Sequence, residues 1–364
     1  METSTKKINI TLKDIRDSIP KECYEKDLFK SLSYMMFDIG MWAVLWYGMN
    51  TLVNNSLWLS LSLGTKGIIT FSYWLSSGFF MWCVFCGAGH DCGHTTFSNY
   101  TIINDICGNI CHGSLLVPYW PWRLSHHRHH MYHNHEYKDY SHPWYTAEKL
   151  SNPKAASARY VDNHPALRLL FPIIGWPLYL LGFPDGSHFI PLSGRLYKNV
   201  NLRDAIQCII STLVVIGFGA TYWNICNSDL QTFAHQFLGS YFVFAWWLTT
   251  VTYLQHHGEN TNVYDETTWN FLESAFETVD RTYGWPIDDL THDITRSHLL
   301  HHIFFTKIPH YNLRKGTLAM RKYLKEVGHG HLYKHEDTRD FPIRVFKTFY
   351  NKGFRANLVS KKYS

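Results

Sequence analysis

Histidine is the residue type on which chemistry could hang in this chain, with 23 copies in 364 residues. The informative ones fall in three groups: His90-Asp91-Cys92-Gly93-His94, His126-His127-Arg128-His129-His130 and His298-Leu299-Leu300-His301-His302. On a helix, positions i, i+3 and i+4 share a face, with Cβ atoms about 5–6 Å apart. The first group therefore converges two imidazoles, His90 and His94. The second converges His126, His129 and His130, and the third His298, His301 and His302. Neutral imidazole is the commonest protein ligand for metals. Eight such rings are too many for one tetrahedral or octahedral ion, so they imply two metals. His127 falls off the face of its neighbours and reads as an outer or solvent-facing residue. His133 and His135 continue the tract, as outer partners of the ligands or as surface residues. His112, His142, His164, His188 and His235 read as ordinary histidines with no part in the site.

Long charge-free runs must position these rings. No Asp, Glu, Lys or Arg lies between Asp38 and Lys66, Lys66 and Asp91, Asp204 and Asp229, or Asp229 and Glu259. A bilayer core needs about 20 predominantly apolar residues in a helix, and four spans fit, near 34–53, 67–89, 205–224 and 233–254. Four runs of this length argue against buried helices of a soluble enzyme. Residues 106–122 contain Pro118 and Pro121, and 169–184 contain Pro172, Pro177 and Pro184, so each reads as an interfacial or half-buried element. The first 30 residues carry seven Lys and Arg, and residues 332–364 carry eight, whereas the segment between spans three and four carries none. The positive-inside rule then puts both termini and the loop 90–203 on the cytosolic side. The chain divides into a cytosolic arm (1–33), a membrane domain (34–331) and a basic cytosolic tail (332–364). Met1–Lys30 is too polar for a cleavable signal peptide. With 17% charged and 16% aromatic residues, the composition excludes a disordered chain, a collagen-like repeat and a small disulfide scaffold.

The eight cysteines form no paired framework and read as free thiols. Cys83 and Cys86 make a CxxC inside span two, where small apolar packing is the expected role. Asn54-Asn55-Ser56 is a glycosylation sequon too near the bilayer for use. Lys361 and Lys362 stand fourth and third from the end, like a dilysine retrieval signal of the endoplasmic reticulum. Nitrogen ligands favour copper and zinc over ferrous iron, so ligand type does not name the metal. Zinc would offer Lewis-acid hydrolysis, but no nucleophile or Glu base accompanies the boxes. A redox pair such as di-iron suits oxygen chemistry on a lipid better, with imidazole replacing the Glu ligands of soluble di-iron bundles.

Several motifs carry a resemblance. GHDCGH (89–94), LLVPYWPW (115–122) with SHHRHH (125–130), and HLLHH (298–302) with IPHY (308–311) resemble the membrane fatty-acid desaturases, in particular the methyl-end (ω6/Δ12 or ω3) group. IPKECY (19–24), FPDGSHF (183–189), TYLQHH (252–257) and VDRTYG (279–284) extend the likeness from about residue 19 to 311. The resemblance implies an all-α integral membrane fold, four transmembrane helices under a cytosolic helical cap that holds a His-rich di-iron site. It implies His90, His94, His126, His129, His130, His298, His301 and His302 as ligands, and a ninth at His256, at the end of span four. His292 matches a frequent family histidine without an assigned role. His127 in the second box, and the Leu299-Leu300 pair in the third, depart from the usual pattern without removing a ligand.

The implied activity is an O₂-dependent oxidoreductase that inserts a cis double bond toward the methyl end of an unsaturated C18–C20 acyl chain, carried as acyl-lipid or acyl-CoA. Two Fe ions and O₂ would serve as cofactor and co-substrate. Two electrons per turnover would come from cytochrome b5, reduced by NADH-cytochrome b5 reductase, with cytochrome b5 a separate partner because no His-Pro-Gly-Gly motif is present. The basic tail reads as a positive-inside anchor, or as a docking site for an acidic donor or anionic lipid. The expected location is the endoplasmic reticulum membrane. GHDCGH leans toward ω3-type boxes. A hydroxylase, epoxygenase or acetylenase of the same fold is the nearest alternative, and a His-rich zinc transporter is the alternative of another class. The transporter would place ionisable ligands in mid-span, where only His235, near an end, is found.

Overall fold

The computed structural model describes residues 9–182, 186–191 and 193–361. Lys362, half of the dilysine pair, and part of FPDGSHF lie outside them. Among the described residues, four helices are long and apolar enough to cross a membrane: α2 (Leu28–Val53), α3 (Leu63–His94), α7 (Leu202–Ile225) and α8 (Leu230–His256). A short α1 (Leu12–Ser18) precedes them, and Thr11 and Asp14 close its N-terminus with a reciprocal capping box. The four long helices start three to six residues before the expected limits because polar caps set their first turns. Asp27, Ser62, Asn201 and Asp229 each accept a backbone N–H three residues on.

The two central helices differ from the outer pair. Over half of the apolar stretch of α3 and α8 (56%) is buried inside the protein, against 17% for α2 and α7. α3 packs along α8, with α2 on one side. The outer helices present Val44, Tyr47, Leu213 and Ile216 outward, as lipid-facing positions require. Both central helices run past the ends of the expected spans, residues 89 and 254, to finish on His94 and His256. Each also contains a π-helical turn, Phe85–Gly89 in α3 and Ala234–Leu238 in α8. An extra residue in one turn rotates everything after it by about 100° around the axis, so the turn in α3 sets the facing of His90 and His94.

The proline-bearing stretches form shorter helices. α4 (Thr101–Ser114) and α5 (Tyr119–Tyr132) are separated by a break in which Leu116 takes a φ of 55°. α6 (Phe171–Leu181) has 11 residues, with Pro177 inside it, and is too short to span. Beneath the histidines, Phe85 of α3 joins Trp122 of α5 (5.1 Å), Trp176 of α6 (5.5 Å) and Phe244 of α8 (5.6 Å) in one aromatic core. All eight cysteines are free and buried.

The cap adds α9 (His298–Phe304), α10 (His310–Glu326) and α11 (Phe341–Asn351). It also adds two short parallel strand pairs that periodicity did not suggest. β1 (Asn262–Tyr264) pairs with β4 (Asn357–Val359), and β2 (Val279–Thr282) with β3 (Lys334–Asp337). Residues 332–361 are thus built into the cap, where α11 packs on α6 and α8, while α1 packs on α10.

Candidate metal centre

Two nests of imidazoles form where α3, α5, α8 and α9 meet. In the first, His90, His94, His126, His130 and His301 bring their ligand atoms within 4.8 Å of one another. The Nε2 atoms run His90–His126 2.9 Å, His126–His130 3.1 Å and His130–His301 3.2 Å. In the second, Nε2 of His256 lies 3.2 Å from those of His129 and His298, and His298 lies 3.2 Å from His302. The nests adjoin, with the rings of His130 and His302 4.2 Å apart.

These spacings fit metal ions. A metal–nitrogen bond of about 2.1 Å puts neighbouring donors about 3.0 Å apart in square-based or octahedral coordination and about 3.4 Å apart in a tetrahedron. Without a metal each close pair would have to share a proton as an Nε2–H···Nε2 hydrogen bond, whereas with one every Nε2 lone pair can face the ion. Burial, reinforced by the neighbouring imidazoles, pushes the pKa values of His126, His130, His298, His301 and His302 well below the ordinary value. The rings are then neutral near pH 7, the form that donates to a metal. Among the described residues, the outward Nδ1 atoms of His130, His256, His298 and His302 have no hydrogen-bond partner.

The surroundings orient the rings. Asp139 accepts the Nδ1–H of His129 at 2.9 Å, which leaves Nε2 free to face the nest. Burial pushes the Asp139 carboxyl up, but the hydrogen bonds it accepts from His129 and from the Asn134 backbone help hold it below the usual range. Asp280 on β2 accepts the Leu299 N–H (2.8 Å) and the Tyr333 hydroxyl (2.7 Å), which fixes the start of α9. Arg281 donates to the Leu254 carbonyl (2.7 Å) near the end of α8 and to Glu336 of β3 (2.5 Å). These two residues explain VDRTYG: it ties the helices bearing His256 and His298 to one strand.

All nine histidines singled out by box spacing and resemblance come together here. His127 is exposed. His133 is buried against His302 (4.9 Å), and His135 pairs with Glu266 at 3.2 Å. His292 pairs with Asp38 of α2 at 2.8 Å, and His310 with Asp91 of the first box at 2.7 Å. His112, His188 and His235 bond to Gly108, Ser125 and Thr70 away from the nests. His142, read as an ordinary histidine, lies beside His129 and His256. It and Asp139 sit in an irregular segment where no helical repeat could have pointed to them. An apolar cavity lined by Trp82, Phe85, Trp176, Leu248 and Val251 opens onto His126, His129, His142, His256 and His298.

A bundle of membrane-crossing helices that delivers metal-binding imidazoles to an apolar cavity defines a class, the integral membrane enzymes acting on lipid chains. This chain belongs to the fatty acid desaturase family, whose model matches residues 67–336. It is 36% identical over 318 residues to the Delta(12) fatty acid desaturase fat-2 of Caenorhabditis elegans, covering 86% of this chain and 79% of that one. It is 32% identical over 348 residues to the Omega-3 fatty acid desaturase fat-1 of the same worm, covering 92% and 79%. The Omega-3 fatty acid desaturase, endoplasmic reticulum, of Nicotiana tabacum is 34% identical over 328 residues, covering 86% and 79%. The protein is therefore an oxidoreductase of acyl chains and a membrane protein.

Proposed function

We propose that the protein is a methyl-end desaturase that inserts a cis double bond, ω3 or Δ12/ω6, into an unsaturated acyl chain lying in the apolar cavity. The observation that carries this is the pair of imidazole nests at one end of that cavity. Iron is the proposed metal, with His90, His94, His126, His130 and His301 holding one ion and His129, His256, His298 and His302 the other. Bound there, the two irons would supply, with O₂, the oxidising power to break an unactivated C–H bond. The overall change balances as –CH₂–CH₂– + O₂ + 2 e⁻ + 2 H⁺ giving –CH=CH– + 2 H₂O.

The chain's own residues do the positioning. Asp139 holds the His129 ring in the tautomer that presents Nε2, and Asp280 and Arg281 fix the helix ends that carry His298 and His256. Trp82, Phe85, Trp176 and Leu248 keep water from the cavity, whose shape selects the carbons facing the nests. Cytochrome b5, reduced by NADH through its reductase, is the proposed separate donor. The proposed setting is the endoplasmic reticulum membrane with both termini cytosolic. The packing of α1 on α10 and of β4 beside β1 supports this, because it brings the described parts of the arm (9–33) and of the tail (332–361) to the histidine side of the domain 34–331. The name of the tobacco relative, which places that protein in the endoplasmic reticulum, agrees.

Expression in yeast, with native oleate or added linoleate, tests the reading by gas chromatography. The expected result is a new cis double bond, lost on His301→Ala, with turnover in microsomes dependent on NADH and cytochrome b5. A hydroxylated product, or an unchanged profile with zinc as the only bound metal, would overturn it.

A further inference from the structure

We propose that His142 is a tenth imidazole donor, one that brings the second nest to five rings as in the first. The inference rests on the reading that the nests hold metal. The ring centroid of His142 lies 5.2 Å from that of His129 and 4.9 Å from that of His256. Ligand atoms of the three residues lie within 4.8 Å of one another. Two donors on opposite sides of one ion stand about 4.2 Å apart at ordinary bond lengths, so a shift of a few tenths of an ångström closes the set.

Three further observations favour a donor over a packing residue. His142 is buried, and no described side chain competes for its ring by a hydrogen bond, so the ring nitrogens are left to face the cavity and the nest. The ring is held in place: it stacks on Trp144 (5.1 Å, 25° between planes), which itself packs on His257 (4.7 Å). Asp139 orders the approach, because the oxygen that accepts the His129 Nδ1–H also accepts the Ser141 N–H at 3.2 Å. One carboxylate thus positions His129 and the residue before His142. His142 also lines the apolar cavity, so it closes the second nest on the side where the acyl chain would lie.

Cobalt(II) is the probe. The full-length protein, purified in detergent and stripped with a chelator, is titrated with Co(II) while visible absorption is followed. The wild type takes up two ions. His142→Ala keeps the first at wild-type affinity and binds the second at least about tenfold more weakly, the scale of a lost or disturbed ligand, with a changed absorption band. His142→Gly with added imidazole regains the wild-type spectrum. Wild-type affinities and spectra in both variants would overturn the assignment. So would equal loss of both ions with a lowered melting temperature, since that marks a structural role. A wild-type chain that binds no cobalt would instead sink the metal reading, and the role of His142 with it.

Discussion

At Asp139 one buried carboxylate makes three hydrogen bonds: Oδ1 takes the His129 Nδ1–H and the Ser141 N–H, and Oδ2 takes the Asn134 N–H at 3.1 Å. Asp139→Ala would free the His129 ring to turn and leave buried donors unpaired. The expected outcome is a 10–100-fold loss of metal affinity or activity, read by metal titration alongside product yield, with Asp139→Asn losing less because its carbonyl still accepts. This residue also marks where sequence reading stops. The box histidines are legible because a helical repeat stacks them on one face. Asp139 and His142 stand 10 and 13 positions after His129 in a segment of turns, where spacing carries no direction and only the folded chain shows the contact.

Among the elements, the end of α3 is the tightest fit. A Cβ on Gly93 would lie 2.6 Å from Trp122, whose ring packs between His112 (4.2 Å) and His126 (4.7 Å) and has no room to give. Ala is ordinarily the better helix former by about 1 kcal/mol, so the sign of a Gly→Ala change reports the contact. Gly93→Ala should destabilise by roughly 1–3 kcal/mol through overpacking. Gly48→Ala in α2, where nothing lies within 4 Å, should leave stability unchanged or raised. Paired melting curves in detergent check both. The spans themselves were legible as charge-free runs, but their starts were displaced because those runs locate apolar residues, whereas Asp27, Ser62, Asn201 and Asp229 begin the helices. The π turns had no signal, since one added residue barely disturbs a uniformly apolar pattern.

Across the whole molecule, buried imidazoles outside the spans couple stability to acidity. Burial pushes His133, His142 and His188 down to about 4, from an ordinary value of about 6.5. The unfolded chain therefore binds more protons than the folded one between pH 6.5 and 4. Stability is full above 6.5 and drains as pH falls through that window, by at most roughly 3 kcal/mol per ring. The chelated protein should melt progressively lower from pH 7 to 4.5, and His188→Gln, at a ring that belongs to neither nest, should flatten part of the slope. A melting temperature constant over that range would contradict the burial of these rings. The four-helix plan and the gathering of histidines at one end were legible from charge and spacing. The cap's strand pairs were not, because three or four residues are too few to show a period and their partners lie far along the chain.

That distance has a consequence for biogenesis. The strand just after His256 takes its partner from residues about 95 positions later, and the strand that steadies His298 waits for Lys334–Asp337. A nascent chain emerging from the ribosome can insert its helices well before either pairing is possible. Until those distant strands are made, the helix ends bearing His256 and His298 lack these braces, so any metal arriving earlier would meet loosely held ligands.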